Sequence, residues 1–518
     1  MVNVPSFPIL GTITLDRASG LALYRQLYDN LREAILSGRL VTGTQLPATR
    51  TLADELDVSR NTVITAYEQL MAEGYLEGKI GAGTYVTRDL PDELLQVRAE
   101  QAQTLPPAGT RQAPSDLLSR RGAVIARTAV THARHQEGPR PFRTGLPALD
   151  ELPFKVWGRL LARRWRTLSP AALGYGPEAG YQPLREAIAA YLGAARGVRC
   201  RADQVIILAG AQQAIDLAAR LLLNPGDAVW LEDPGYLGAR GALLAAGARL
   251  VPVPVDDQGL NVEAGLQQDA GARMVYVSPS HQYPLGVTMS LARRLALLQW
   301  AAQANAWILE DDYDSEYRYA GRPLAALQGL DSNGRVIYIG TFSKVLFPGL
   351  RLGYMVVPPD LIDAFSRART LIDRGSAWLD QAVLTDFIVE GHFARHIRRM
   401  RALYAERQTL LVDLLRRKCA GRLEIRSAEA GLHVVGWLSP GIDDRPVSEQ
   451  LSAQGIEALP ISSYALTPQP RGGLILGYAA VNAAAIRKGV RRLEKTLAAV
   501  DSISLELSKT KARSFNEL

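Results

Sequence analysis

"GTFSKVLFPGLRLGY" (residues 340–354) follows the apolar run "VIYI" (336–339) and sets Lys344 between a serine and a Pro-Gly bend that leads to Arg351. A run this short and this continuously apolar reads as a strand buried on both faces. Five more precede it: "VIIL" (205–208), "AVWL" (228–231), "RLVPV" (249–253), "MVYV" (274–277) and "WIL" (307–309). Most are separated by helix-length amphipathic pieces, so the expected architecture is an α/β sheet of mainly parallel strands. Ligands of such sheets bind beyond the carboxyl ends of the strands, and Lys344 stands at one of those ends.

A lone lysine after a strand is ordinarily a solvated charge, so its neighbours decide its role. A lysine that forms an imine needs a lowered pKa and a fixed aldehyde partner. With pyridoxal 5'-phosphate as that partner, the pocket also needs an anion site, an acid for the pyridine nitrogen and a donor to the ring hydroxyl. In "ILAGAQQAIDLAARLLL" a strand turns through small residues into a helix, which points the amides of Ala211 and Gln212 at an anion with the helix dipole behind them. Arg351 supplies a bidentate clamp for the phosphate and Ser343 a further donor. In "WILEDDYDSEY", Asp311 is the acid for the ring nitrogen, and Tyr313 reaches the phenolate oxygen. Tyr236 in "LEDPGY" offers a face for the ring to stack on. Each feature has a plainer counterpart: the acids as a metal site or solvated loop, Tyr236 as a core aromatic, the Gly-Ala turn as helix packing. Four complementary parts, each at a strand end, favour the cofactor pocket.

The other end of the chain has a different texture. In "LALYRQLYDNLREAILSG" the residues Tyr24, Leu27, Tyr28, Leu31 and Ile35 recur at helical spacing. A second helix, "TRTLADELD", buries Leu52, Ala53 and Leu56. Ser59 then caps a third, whose Val63, Ala66, Tyr67 and Leu70 face inward. Arg60, Asn61 and Thr62 are left on its outer first turn, the polar pattern that a major groove requires. The hairpin "GYLEGKIGAGTYVT" follows, with Lys79 placed to approach phosphate. A small helical bundle is the alternative, and charge does not choose: residues 21–88 hold seven Arg or Lys and eight Asp or Glu.

With 518 residues and 47% apolar content the chain is expected to form several soluble domains. No run reaches the length of a membrane span and no secretory signal opens the chain, so a cytoplasmic protein is the expectation. Cys200 and Cys419 have no metal-ligand spacing and read as small buried hydrophobes. Between the two textures, residues 89–140 lose apolar periodicity and collect Pro, Gln, Ala and Arg, the composition of a flexible linker. From Arg98 to Arg143 eight arginines face three acids, an excess of five charges.

"LPATRTLADELDVSRNTVITAYEQLMAEGYLEGKIGAGTYV" resembles the winged helix-turn-helix of GntR-type transcription regulators. The resemblance implies contacts to double-stranded operator DNA from Arg50, Arg60 with Asn61 and Thr62, and Lys79. Residues 141–500 resemble the fold type I pyridoxal phosphate aminotransferases, an α/β fold with a smaller α+β subdomain at about 390–500. In those relatives the tyrosine of "YGPEAGYQPL", here Tyr175, reaches the phosphate held by the neighbouring subunit, which implies a homodimer. "SPSHQYPLGV" departs from the Asn-Pro-x-Gly stretch of that fold, so Gln282 or His281 takes the place of the asparagine that bonds the ring oxygen.

Head, linker and aminotransferase-like domain in this order resemble the MocR group of regulators, PdxR-type members included. The resemblance implies regulation of transcription by a small-molecule effector, with control of pyridoxal phosphate synthesis as one target. The arginine that binds the substrate carboxylate in true aminotransferases falls, by ungapped alignment, on Ile475 in "LILGYA", with Arg471 or Arg240 as substitutes. Its loss favours pyridoxal phosphate itself as effector over an amino acid or amine acting through it, and a sensor over an active aminotransferase.

Overall fold

The structure is a computed structural model and describes residues 13–79, 83–88, 90, 117–128, 140–321 and 324–515. They fall into two compact units divided at residue 113.

The first unit contains helices α1 (Leu23–Leu36), α2 (Thr49–Glu55) and α3 (Arg60–Ala72) and strands β1 (Gln45–Leu46), β2 (Leu76–Lys79) and β3 (Gly83–Val86). α1 buries Leu27, Tyr28, Leu31, Ala34 and Ile35, whereas Tyr24 on its first turn is 39% exposed, short of the core the periodicity assigned to it. α3 buries Val63, Ala66, Tyr67 and Leu70, and the Ser59 hydroxyl accepts from the Thr62 amide as its cap. β3 pairs antiparallel with both β1 and β2. The tip of the hairpin, residues 80–82, lies outside the described residues.

In the second unit, helix α4 (Arg120–Arg127) falls inside the segment read as linker. Ser119 caps it, and Arg121 donates to the carbonyl of Ala245. Arg98, Arg111 and Arg134 of the arginine-rich stretch lie outside the described residues. The eight-stranded sheet uses β4 (Val205–Leu208), β5 (Ala228–Asp233), β6 (Arg249–Asp256), β7 (Gly259–Leu260), β8 (Met274–Val277), β9 (Trp307–Asp312), β10 (Val336–Thr341) and β11 (Gly353–Val356). Their order is β4-β11-β10-β9-β8-β5-β6-β7. Pairs β6–β5, β5–β8, β8–β9 and β9–β10 are parallel, while β11 runs antiparallel to both β10 and β4.

Alternation along the strands explains why every residue of β5 and β10 is buried. Val229 and Leu231 of β5, with Ile337 and Ile339 of β10, pack on one face, where α7 (Ala211–Leu222) and α8 (Leu237–Ala245) lie; helices α5 (Phe154–Arg166) and α6 (Gln182–Arg196) cover part of the other face. Trp230 and Tyr338 point to that opposite face. A second, four-stranded antiparallel sheet, β12 (Leu423–Ile425), β13 (His433–Leu438), β15 (Gly473–Gly477) and β14 (Leu459–Pro460) in spatial order, has its own core with the long helix His392–Lys418.

The two sheets are tied together where the segment after Arg140 crosses β15. Phe142 bridges to Gly477, and a Cβ on Gly477 would lie 2.1 Å from the Arg143 carbonyl oxygen and 2.6 Å from its carbon. Only a glycine permits that approach. Gly477→Ala is therefore expected to lower stability by roughly 1–3 kcal/mol, the usual cost of overpacking, and to displace Arg143; a urea titration of the purified protein measures the first effect.

Candidate functional site

The carboxyl ends of β4, β9 and β10 converge on a cavity of about 460 Å³. Its walls include Lys344, Asp311, Tyr313, Tyr236, Ala211, Gln212, Ser343 and Arg351, eight of the ten residues assigned to the cofactor from sequence.

Lys344 follows the end of β10, and its Nζ donates to the carbonyl oxygen of Gly145 at 2.8 Å. Burial lowers its pKa, opposed by Asp314 and Asp311. The amine is thereby moved toward the neutral form that attacks a carbonyl. Asp311 is 4% exposed, and burial pushes its pKa up to about 7 against the hydrogen bond it accepts from the Tyr276 hydroxyl at 2.6 Å. Its other oxygen, Oδ1, is buried and has no hydrogen-bond partner among the described residues. An orphaned carboxylate oxygen in a cavity matches a protonated ring nitrogen, which supplies both the missing donor and the opposite charge.

The anion end is equally specific. α7 starts at Ala211 directly after Gly210, which has φ 138 and offers no side-chain cap, so the first-turn amides are left to the cavity. A Cβ on Gly353 of the neighbouring β11 would lie 2.7 Å from Gly210 Cα, so the close approach requires glycine at 353, while Gly210 is required by its own φ of 138. Arg351 sits at the rim with φ 51, a left-handed backbone that costs a non-glycine residue about 1–2 kcal/mol. The Tyr236 ring stands 6.4 Å from the Tyr276 ring across the cavity wall, and its hydroxyl reaches Gln212 at 3.3 Å. These residues fit the phosphate, nitrogen and aldehyde of pyridoxal phosphate. When bound, that group supplies an aldehyde carbon for Lys344 and an electron-withdrawing ring.

The acids of "EDDYDSEY" divide their work rather than sharing a metal. Glu310 accepts from the amides of Leu327 and Gln328, Asp312 from Arg196 and Tyr338, and Glu316 from Tyr191. No metal-binding group of acids, His or Cys occurs among the described residues.

Gln282 is not brought to the cavity, and Tyr175, assigned to the cofactor of the neighbouring subunit, does not line the cavity of its own chain. Gln282 is 1% exposed; its amide nitrogen donates to the carbonyls of Pro234 and Tyr283 and to Glu232, and its oxygen accepts from Leu285. Both ends of the side chain are spent on holding the turn, and Tyr283 is the residue of this stretch that lines the cavity. Tyr175 is 79% exposed, beneath the Arg374 guanidinium at 5.4 Å. Ile475 is fully buried in an apolar cluster with Leu237, Ile461 and Tyr464. Arg471 turns away to Glu424 and the Leu438 carbonyl, and Arg240 does not line the cavity. Besides Arg351, the guanidinium that does is Arg143, 3.8 Å from Glu457. Sequence reading placed Arg143 only in the linker's charge count; its sole signal was the small-residue stretch "TGLP" that follows it. Tyr276, Asp314 and His433 were likewise missed.

In the first unit Arg50, Arg60 and Asn61 are exposed, and Thr62 is half-buried with its hydroxyl 2.9 Å from that of Ser59. Lys79 pairs with Glu77 at 3.2 Å and lies over the Tyr85 ring.

Residues 144–493 match the family "Aminotransferase class I and II", and residues 23–86 match "Bacterial regulatory proteins, gntR family". The chain is 44% identical to the probable rhizopine catabolism regulatory protein MocR of Rhizobium meliloti, over 95% of this chain and 97% of that protein. It is 31% identical to the pyridoxine biosynthesis transcriptional regulator PdxR of Corynebacterium glutamicum, over 90% and 94%. Among solved structures, the α-aminoadipate aminotransferase LysN of Thermus thermophilus, complexed with N-(5'-phosphopyridoxyl)-L-leucine, superposes with a TM-score of 0.70 and 28% identity, covering 76% of this chain and all of that one. A gntR-family head precedes an aminotransferase-type domain with alignments that run nearly end to end, and the chain therefore belongs to the MocR group of GntR-type transcription regulators.

Proposed function

We propose that this regulator holds pyridoxal 5'-phosphate covalently on Lys344 and uses it as an effector that sets the affinity of the head for operator DNA. The observation that carries the reading is the orphaned Oδ1 of Asp311 in the same cavity as the Lys344 amine. In this reading residues 21–88 bind DNA, 89–140 connect, and 141–500 sense. Arg351, Ser343 and the amides of Ala211 and Gln212 hold the phosphate, Tyr236 stacks on the ring, and Tyr313 serves its oxygen. Leu371, Tyr175, Val389 and Leu173 are each more than 70% exposed, and a second copy that covered them would bury apolar area. Operator DNA places the homodimer in the cytoplasm, and no described helix is long and apolar enough to cross a membrane.

A second reading, an amino acid or amine as effector acting through the cofactor, is favoured by Arg143 and Glu457 in the cavity wall. The greater identity to the relative named for rhizopine catabolism also favours a catabolic target over pyridoxal phosphate synthesis. Operator titrations with and without pyridoxal phosphate, then with a panel of amino acids and amines, separate the two. A change with the cofactor alone supports the first reading, and a change only with a further amine supports the second. Identical binding under all conditions would sink both. A ligand can move the equilibrium only by its differential affinity for the two DNA-binding states.

A further inference from the structure

Behind Tyr313 lies a pair of side chains to which the proposed function gives no role; His281, the alternative to Gln282 at the ring oxygen, does not line the cavity. His281 is 2% exposed and Asp314 1%. The His281 Nδ1 is 3.0 and 3.2 Å from the two oxygens of Asp314 and 3.0 Å from the Tyr313 hydroxyl. Its Nε2 is buried and without a hydrogen-bond partner among the described residues. Two glycines press on the ring: a Cβ on Gly431 would lie 1.9 Å from Cε1 and one on Gly286 3.2 Å from Nε2. The two glycine backbones pack against the ring, and a flipped ring would turn Cδ2, a carbon, toward Asp314 and Tyr313, so Nδ1 serves both neighbours.

A carboxylate can only accept, whereas a phenol can accept or donate. Asp314 therefore places the proton on Nδ1. The other tautomer would bury an unpaired Nε2–H, and it would face the Asp314 carboxylate with a lone pair. With Nδ1 protonated, the Tyr313 oxygen can only accept from it, and its own hydrogen is left to point into the cavity. The remaining groups around the pair are His433, whose ring is 5.0 Å away and which burial pushes down to about 3, together with Lys344, Asp311, Glu232, Tyr283, Tyr317, Tyr319 and Tyr478. His433 is held neutral with its Nε2 donating to the Pro284 carbonyl, so it does not compete for Tyr313.

We propose that Asp314 and His281 are positioning residues that fix Tyr313 as a one-way hydrogen-bond donor to the ring oxygen of a cofactor held on Lys344. The proposal rests on the cofactor reading above. A donor on that oxygen withdraws charge from it and weakens its hold on the proton shared with the adjacent Lys344 nitrogen, so the nitrogen loses its proton at lower pH.

The test is a pH titration of the visible absorbance of the full-length, cofactor-loaded protein as a double-mutant cycle. Tyr313→Phe is expected to raise the midpoint by roughly one pH unit, the scale of one hydrogen bond to a charged group. Asp314→Asn removes a charge, which acts through space, and also frees Nδ1 to take the Tyr313 proton. Its shift is therefore expected to differ between the wild-type and Tyr313→Phe backgrounds by about half a unit or more. Equal shifts in the two backgrounds, or no shift from Tyr313→Phe, overturn the proposal. Should the variants fail to load cofactor, the ¹⁵N shifts of His281 in the cofactor-free protein, assigned by their loss in His281→Asn, decide: a proton on Nε2 and not on Nδ1 overturns it. A wild-type protein with no visible band and no borohydride-trapped adduct defeats the cofactor reading first, and this one with it.

Discussion

Lys344→Ala is expected to yield a colourless protein whose operator affinity no longer responds to pyridoxal phosphate. Lys344 is the only lysine among the described residues lining the cavity, and its pKa is lowered by burial rather than by a removable partner, so no neighbouring amine replaces it. The anion site at α7, Arg351 and Asp311 remain, and residual noncovalent binding is expected, weakened by orders of magnitude. A ligand at a hundred times its dissociation constant adds about 2.7 kcal/mol to the stability of a folded protein. Cofactor is accordingly expected to raise the thermal midpoint of the wild type by several degrees and that of the variant by little. Absorbance before and after borohydride, with a melt in each state, checks both halves. A variant that stays coloured places the covalent bond on another amine.

Much of this site could be read before any coordinates because parallel strands buried on both faces are continuous apolar runs, and their carboxyl ends mark the ligand side. The run at 336–339 places Lys344 in the loop that follows its strand, and the run at 307–309 places Asp311 and Tyr313 near the end of theirs, although β9 runs on to Asp312 and so holds Asp311 within the strand. What escaped notice depends on tertiary approach. "GYMV" (353–356) has the texture of any buried strand, and nothing local reveals that β11 runs antiparallel in mid-sheet with Gly353 against Gly210. The side chain of Gln282 sits one residue from a cavity-lining position, but the direction it takes is set by carbonyls at Pro234 and Tyr283. Arg143 joins the wall only because Gly477 lets its segment pass, a contact between residues more than three hundred positions apart. Tyr276 illustrates the remaining gap: as the third residue of β8 it looked like core, and its hydroxyl is what meets Asp311.

Arg60→Ala is expected to weaken operator binding about 10- to 100-fold while leaving the visible spectrum of the cofactor unchanged. The arginine opens α3 with its side chain exposed; the only hydrogen bond it makes within the head among those described is a long one of 3.4 Å to the Thr49 hydroxyl, so little folded structure is lost with it. A bidentate contact to a base edge contributes about 1–3 kcal/mol of discrimination. The loss should therefore be largest on the preferred operator and small on unrelated DNA. Lys79→Ala makes the contrasting case. Its ammonium is already engaged by Glu77 and the Tyr85 ring, and a wing lysine facing phosphate carries no base information. Its removal should weaken binding to all sequences alike and flatten the salt dependence by about one counterion. If the two variants weakened specific and unrelated DNA in equal proportion, the first turn of α3 would not be reading bases. If neither affected DNA at all, Arg60 and the wing lysine would not be the residues that touch the operator.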